Sequence, residues 1–207
     1  METDEEQVEK LKAWWKENGR SVIAGIVIGV GGLFGYNEWV DYQTRVAEEA
    51  SAHFEQMVQA LEAGDKDSIV SSADTLIADY ASSKYAIMAR LGLARFHVEN
   101  GDYEIASEQL QQVVGSVDNQ PLGYLARKRL AAVQMQMAQN EQALATLSIE
   151  FPLEFSASVE ELKGDIYAQQ GKTAEAAEAY RKAMRGTPGP ANSDFLQQKL
   201  DDLGLTG

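Results

Sequence analysis

The chain has 207 residues, 18 basic and 32 acidic side chains, a formal net charge of −14 and no cysteine. Without cysteine it can form no disulfide, zinc–thiolate site or cysteine nucleophile. The acidic balance argues against nucleic-acid binding, because phosphate backbones are bound by basic surfaces. After the first forty residues, enough chain is left for one domain or a small helical array.

The first predicted element is an amphipathic leader in residues 1–20. Val8, Leu11, Trp14 and Trp15 share one side of a helix and have lysines beside them. That pattern is typical of a helix at a membrane surface, where the two tryptophans would act as interfacial anchors. A solvated basic leader is the alternative.

The next element, residues 21–40, is predicted to be a single transmembrane helix. It opens with the uncharged stretch SVIAGIVIGVGGLFGYN, and twenty helical residues cover about 30 Å, one hydrocarbon thickness. Tyr36 and Trp39 provide aromatic anchors at the far interface. A cleaved signal peptide and a buried core helix are the alternatives. The stretch is long for a signal peptide, lacks a small-x-small site beyond it, and is rich in glycine for a core helix.

Basic residues predict the orientation of this span. Lys10, Lys12, Lys16 and Arg20 precede it, whereas only Arg45 follows it closely. Because Lys and Arg near a span are retained in the cytoplasm, the N-terminus is expected inside and residues 41–207 outside.

Glycines in the span predict a helix-packing surface. Gly25, Gly29 and Gly32 fall on one helical face, and Gly31 and Gly35 form a second small-xxx-small pair. Lipid gives helices no hydrophobic reason to associate, so close approach through small residues is a usual route to packing. Ordinary glycine tolerance in a membrane helix is the alternative.

Residues 41–207 are predicted to be helical nearly throughout. Apolar residues keep a 3.6-residue rhythm over 46–63 and stop at Gly64, and no linker rich in Gly, Pro or Ser separates this helix from the span. Ala73 marks a divergent first hairpin over about 46–80. No run of alternating apolar and polar residues calls for a sheet, so the expected fold class is all-α.

A 34-residue periodicity predicts helical hairpins of the tetratricopeptide type. Residues 157–190 match seven of eight signature positions. Small residues let the two helices approach, tyrosine rings fill the gap, a glycine turns the chain and a proline ends the second helix. The matching residues are Gly164, Tyr167, Gly171, Ala176, Tyr180, Ala183 and Pro188. Lys163 and Glu160 depart from the motif.

Weaker copies precede this repeat and a capping helix follows it. The copies cover about 87–120 and 124–157, and their small residues Ala106 and Ala143 keep a similar spacing to Ala176. At about 193–203, Ser193 begins a helix whose Leu196, Leu200 and Leu203 share a side. Such a helix would cover the open apolar surface of the last repeat. The expected architecture is one transmembrane helix, a tetratricopeptide-like hairpin solenoid and a C-terminal cap.

The leader and span QVEKLKAWWKENGRSVIAGIVIGVGGLFGY, the stretch SSKYAIMARLGLARFHVENGDYEIASEQL and the acidic repeat-containing tail together resemble one family. This is the ancillary SecYEG translocon subunit family, the YfgM-type proteins of Gram-negative bacteria. The resemblance covers nearly the full length. Its leader and span are the more specific part, because repeats alone match many proteins.

The resemblance implies a single-pass inner-membrane protein with a periplasmic domain and no catalytic residues. It implies association with the SecYEG channel and with PpiD, a membrane-anchored periplasmic chaperone of the prolyl-isomerase type. It also implies a role in passing secreted proteins to periplasmic chaperones, and restraint of an envelope-stress response regulator.

The residues themselves give little support for an enzyme, a metal site or a cofactor. The two histidines, His53 and His97, are far apart and are interpreted as a solvent-edge residue and a core residue. Adjacent carboxylates on a helix point in different directions, and neither a nucleophile elbow nor a phosphate-binding loop is present. Binding is therefore the expected mechanism. Stacked hairpins form a groove, and the acidic surface would favour basic or extended clients. A membrane-anchored scaffold for cell-envelope or division complexes is the alternative.

Overall fold

The computed structural model describes residues 4–117, 119–186 and 193–204. Within these ranges the chain forms α-helices and no strand, which confirms the all-α prediction. The helices are α1 (Asp4–Ala63), α2 (Lys66–Asp79), α3 (Lys84–Asn100), α4 (Tyr103–Ser116), α5 (Pro121–Gln136), α6 (Asn140–Thr146), α7 (Leu153–Gln169), α8 (Thr173–Arg185) and α9 (Ser193–Asp202). Two compact units can be distinguished, one up to Ser51 and one from Ala52 onward.

The first unit consists of the part of α1 up to Ser51, and the helix has no break at residue 20 or residue 40. The leader and the span therefore form one continuous helix. The sequence explains the continuity, since the first proline of the chain is Pro121. Isolated glycines such as Gly19 weaken a helix but do not end it. The same helix continues to Ala63.

In the second unit, consecutive helices pack as neighbours from α2 to α9. The end of α1 belongs to this array, because Met57 is fully buried and its Cε would lie 2.8 Å from a Cβ placed on Gly92 of α3. Apolar clusters follow one another along the array, first among α3, α4 and α5, then among α5, α6 and α7, and then around α8 and α9. Each hairpin therefore buries its apolar surface against the next.

Four reversals of the chain share one turn geometry. Gly64, Gly101, Ala138 and Gly171 all have positive φ, between 59° and 81°. After each of them, the next backbone N–H donates to a carbonyl five residues earlier: Asp65 to Ala60, Asp102 to His97, Gln139 to Gln134 and Lys172 to Tyr167. This is the Schellman arrangement that ends helices at a left-handed residue. The turns recur at intervals of 37, 37 and 33 residues, so they mark one hairpin each.

The fourth hairpin, formed by α7 and α8, is held together by a very close helix approach. A Cβ placed on Gly164 of α7 would lie 2.4 Å from Cε1 of Tyr180 on α8. Tyr180 itself is only 3% exposed. Only a residue without a side chain therefore allows the ring to lie against α7.

The left-handed turns give a first prediction. Replacing Gly101 by alanine should lower the free energy of unfolding by about 1 kcal/mol, because left-handed geometry is strained for a residue with a Cβ. Ala138 carries that strain already, so Ala138→Gly should raise the free energy of unfolding, by less than about 1 kcal/mol. The gain is small because glycine loses more backbone entropy on folding than alanine does. Urea titration of the full-length chain in detergent, followed by far-UV circular dichroism, measures both. Losses of equal size in the two variants would contradict the assignment.

The contact between Gly164 and Tyr180 gives a second prediction. Gly164→Ala should destabilise the array by about 1–3 kcal/mol, because the new methyl group overlaps the tyrosine ring. Gly115→Ala is the matched control, since a Cβ at Gly115 meets nothing within 4 Å and alanine is the better helix former. The same titration compares them, and unchanged stability in Gly164→Ala would refute the close approach.

Candidate membrane and partner-binding surfaces

By length and composition, α1 is the one helix among the described residues that is able to cross a membrane, and its most apolar window is 6% buried. Ile28, for example, is 74% exposed. A buried core helix would have these side chains covered by the rest of the chain. The core-helix alternative for residues 21–40 therefore finds no support.

The five glycines of the span face open space. A Cβ placed on Gly25, Gly29, Gly31, Gly32 or Gly35 would meet no atom within 4 Å. Both faces are therefore available to helices of another protein, and which of them is used stays a prediction.

Aromatic side chains are exposed on both sides of the span. Trp14 and Trp15 lie before it, with ring centroids 6.4 Å apart, and Tyr36 and Trp39 lie at its end, 6.2 Å apart. All four are at least half exposed. The ring of Trp15 lies over Gly19, where a Cβ would be 3.2 Å from it. These positions are compatible with the interfacial anchoring predicted above.

The residues predicted as repeat scaffold lie in the hairpin cores and turns. Ala106, Ala143, Ala176 and Ala183 are fully buried, Gly164 and Tyr180 are in contact, Tyr167 is half-buried beside them, and Gly171 occupies a left-handed turn. Pro188 lies outside the described residues. The two residues that depart from the motif form an ion pair with each other, since Lys163 Nζ lies 2.6 Å from Glu160 Oε1.

One lysine attaches the final helix to the last repeat. Leu196 of α9 is fully buried, and Lys199 Nζ donates to Asp165 Oδ1 at 2.7 Å and to Glu161 Oε1 at 2.9 Å, both on α7. Tyr180 Oη donates to the same Asp165 oxygen at 2.8 Å. The ammonium group also lies 5.5 Å from the centroid of the Tyr180 ring.

This network changes the acid–base properties of its members. Burial and the hydrogen bond to Asp165 raise the pKa of Tyr180. Burial alone would lower the pKa of Lys199, but its hydrogen bonds to Asp165 and Glu161 outweigh that and raise it. The network is thus built for a neutral phenol and a charged ammonium group.

A largely apolar cavity of about 290 Å³ lies between α3 and α5. Leu110 of α4 is among its lining residues, and Val98 lines its α3 side and is 37% exposed. Arg95 of α3 and Arg129 of α5 also line it. An apolar side chain with charged neighbours is the kind of group that such a cavity can accept.

A second cavity, of about 330 Å³, is lined by residues of α6, α7 and α8. It is more polar, and most of its charges are paired: Lys163 with Glu160, and Lys182 with Glu178 at 2.9 Å, while Glu175 also lines it. These pairs leave little unbalanced charge to select a ligand.

Among the described residues, no group of three or more His, Cys, Asp or Glu side chains is arranged to hold a metal ion. His97 is mostly buried and its Nδ1 lies 3.3 Å from Asp102 Oδ2, beside a left-handed turn. His53 is half-buried, with its ring 5.6 Å from that of Tyr80. Both histidines therefore have packing roles in the array.

Sequence reasoning missed Lys199, Arg95 and Arg129. A lysine in a helix of mixed charge gives no periodic signal, and its partners precede it by 34 and 38 residues. The two arginines stand in the sequence as ordinary helix-surface residues. The excess of basic residues in α3 and α5 over the rest of the chain is the signal that would have pointed to the two arginines.

Comparison with known proteins identifies relatives over nearly the whole chain. A family model described as a tetratricopeptide repeat-like domain matches residues 12–205. The ancillary SecYEG translocon subunit of Escherichia coli K12 is 31% identical, covering 99% of this chain and 98% of that protein. The protein of the same description from Haemophilus influenzae is 29% identical, with 97% of each chain covered.

Among solved structures, a tetratricopeptide repeat protein from Parabacteroides merdae is similar, with a TM-score of 0.54 and 17% identity. The match covers 75% of this chain and 57% of that protein's length. It supports the repeat fold alone.

The Lys199 network predicts a loss of stability at alkaline pH. Both raised pKa values mean that the folded state holds its protons more tightly than the unfolded state, whose ordinary values are 10.0 for tyrosine and 10.5 for lysine. The stabilisation is therefore complete below about pH 10 and is lost as pH rises through the raised folded values.

The measurement is the free energy of unfolding of the full-length chain in detergent as a function of pH. Lys199→Met should make the decline above pH 10 shallower, because it removes the contribution of the raised Lys199 pKa. Lys182→Met is the control, because the Lys182–Glu178 pair is exposed and contributes little. The same slope in wild type and Lys199→Met would contradict the prediction.

Proposed function

This chain belongs to the family of ancillary SecYEG translocon subunits, and on that premise we propose that it is a non-enzymatic inner-membrane adaptor that associates with the SecYEG translocon. The observation that carries the proposal is the near-complete alignment with subunits of that description. Its exposed apolar helix segment and helical-repeat array are the two parts that such an adaptor needs.

In the proposed topology, residues 1–20 are cytoplasmic, residues 21–40 span the membrane once, and residues 41–207 are periplasmic. The excess of Lys and Arg before the span supports this orientation. Arg45, close after the span, is 3.8 Å from Glu38.

The span docks on membrane partners through its glycine faces. Because no atom lies above Gly25, Gly29, Gly31, Gly32 or Gly35, another helix can approach the backbone closely there. Docking holds the repeat array next to the channel. A binding surface tethered in this way meets its partners at high effective concentration, so weak contacts are sufficient.

The repeat array holds the periplasmic partners. These are PpiD, the membrane-anchored periplasmic chaperone, together with other periplasmic chaperones or emerging secreted chains, so that the adaptor aids transfer from the channel to the chaperones. The cytoplasmic leader is the part that would restrain an envelope-stress response regulator. The family resemblance supports these finer assignments.

Copurification tests the membrane contact. The double substitution Gly25→Leu, Gly29→Leu should reduce recovery of channel subunits from gently solubilised membranes by about tenfold, because two bulky side chains separate the helices. Val30→Phe is the control, since at 3.6 residues per turn position 30 faces away from both glycine faces. Substitution of Gly31 and Gly35 in the same assay determines whether the second face is used instead.

Two outcomes would refute the proposal. One is recovery of channel subunits unaffected by substitution of either glycine face. The other is recovery of cell-wall or division proteins without channel subunits, which would favour a scaffold for cell-envelope assembly.

A further inference from the structure

Charge is unevenly distributed over the helices of the array. Helices α3 and α5 carry six basic side chains against a single carboxylate, Glu99. The basic residues are Lys84, Arg90, Arg95, Arg127, Lys128 and Arg129. The whole chain, in contrast, has a net charge of −14. A basic surface within an acidic protein indicates a selective contact, because solubility does not require it.

Several of these cations are used within the array. Arg90 donates to Gln109 at 3.0 Å, and Lys128 donates to Ser158 at 3.2 Å. Arg95 and Arg129 are different, because both line the apolar cavity between α3 and α5. Arg95 Nε lies 2.7 Å from Glu99 Oε1, and Glu99 also lines the cavity. The Arg95 side chain is 75% exposed, and its guanidinium group has further donors for a second carboxylate.

Arg129 is the unbalanced charge at this cavity. It is exposed, and it makes no hydrogen bond or ion pair with any residue that the structure describes. Beside it, Val98, Ala132 and Val133 provide apolar lining. The cavity, about 290 Å³ in volume, has room for a large aliphatic side chain.

We propose that the cavity between α3 and α5 binds an acidic segment of a partner polypeptide that inserts an apolar side chain. The apolar side chain enters beside Val98 and Leu110, and the carboxylates flanking it meet Arg129 and Arg95. A bidentate arginine–carboxylate contact is geometrically specific. Nucleic acid is the less suitable ligand, because the remainder of this acidic chain repels phosphate.

The inference reverses the expectation from overall composition, which favoured basic clients. Net charge describes the average surface, whereas a ligand meets the charges beside the cavity. The inference rests on the proposed function in one respect, since it identifies the chemistry of the partner segment that the repeat array of the adaptor holds.

Peptide binding to the full-length protein in detergent tests this. Four fluorescein-labelled peptides serve as probes: EEALLAEE, the neutral QQALLAQQ, the basic KKALLAKK, and EEASSAEE, which lacks the leucines. Fluorescence anisotropy should show the tightest binding for EEALLAEE. High salt should weaken it, because the charges are screened.

The variants identify the site. Arg129→Glu should weaken EEALLAEE binding by about tenfold through charge reversal, whereas Arg181→Glu, an exposed arginine on α8, should leave it unchanged. Val98→Ser should weaken binding of EEALLAEE more than that of EEASSAEE. Ile105→Ser, an exposed residue on α4 outside the cavity, is the matched control. Circular dichroism verifies that each variant is folded.

The inference is overturned if the acidic peptide binds no tighter than the others, or if Arg129→Glu and Arg181→Glu behave alike. It is also overturned if Arg129→Glu changes only the mass measured by light scattering, since a second copy of this chain would then be the occupant. Copurification of channel subunits is measured in parallel. If the wild-type protein copurifies with channel subunits but shows no preference among the peptides, only the cavity assignment is refuted. If the wild-type protein does not copurify with channel subunits, the adaptor function itself is refuted.

Discussion

The array depends on reversing the chain at a left-handed residue after the first helix of each hairpin. At Gly64, Gly101, Ala138 and Gly171 the next backbone N–H reaches back to a carbonyl five residues earlier, so the helix end is satisfied and the chain returns antiparallel. The return helix must then approach closely. Small buried residues, Ala106, Ala143 and Ala176, make that approach possible, and each hairpin covers the apolar side of the next.

Much of this could be predicted where local chemistry is distinctive. The fourth hairpin carries a turn glycine and two tyrosines, and the structure places Gly164 against Tyr180 as the motif requires. The third hairpin was weaker in sequence because alanine stands at position 138, where the other turns have glycine. The continuity of α1 through the leader was not predicted. An amphipathic pattern shows which side of a helix is apolar, but it does not show where the helix ends.

The candidate surfaces divide in the same way. The span is a local property, so its apolar residues and glycines were identified from sequence alone. The cavity between α3 and α5 depends on tertiary structure. Arg95 and Arg129 are 34 residues apart in sequence and both line it only because the chain reverses on either side of α4. Lys199 and its partners on α7 are related by tertiary structure in the same manner. These residues show no sequence periodicity that would distinguish them from a solvated helix face.

The alanine at position 138 affects more than the sequence motif. It lies directly before α6, which has only seven residues (Asn140–Thr146), so a strained turn is followed by a helix with few hydrogen bonds. Local opening needs the least free energy where such features coincide. Amide hydrogens of α6 should therefore exchange with solvent before those of α4 or α8. The third hairpin, formed by α5 and α6, is then the place where the array can part transiently without unfolding, exposing the inner surfaces of its neighbours.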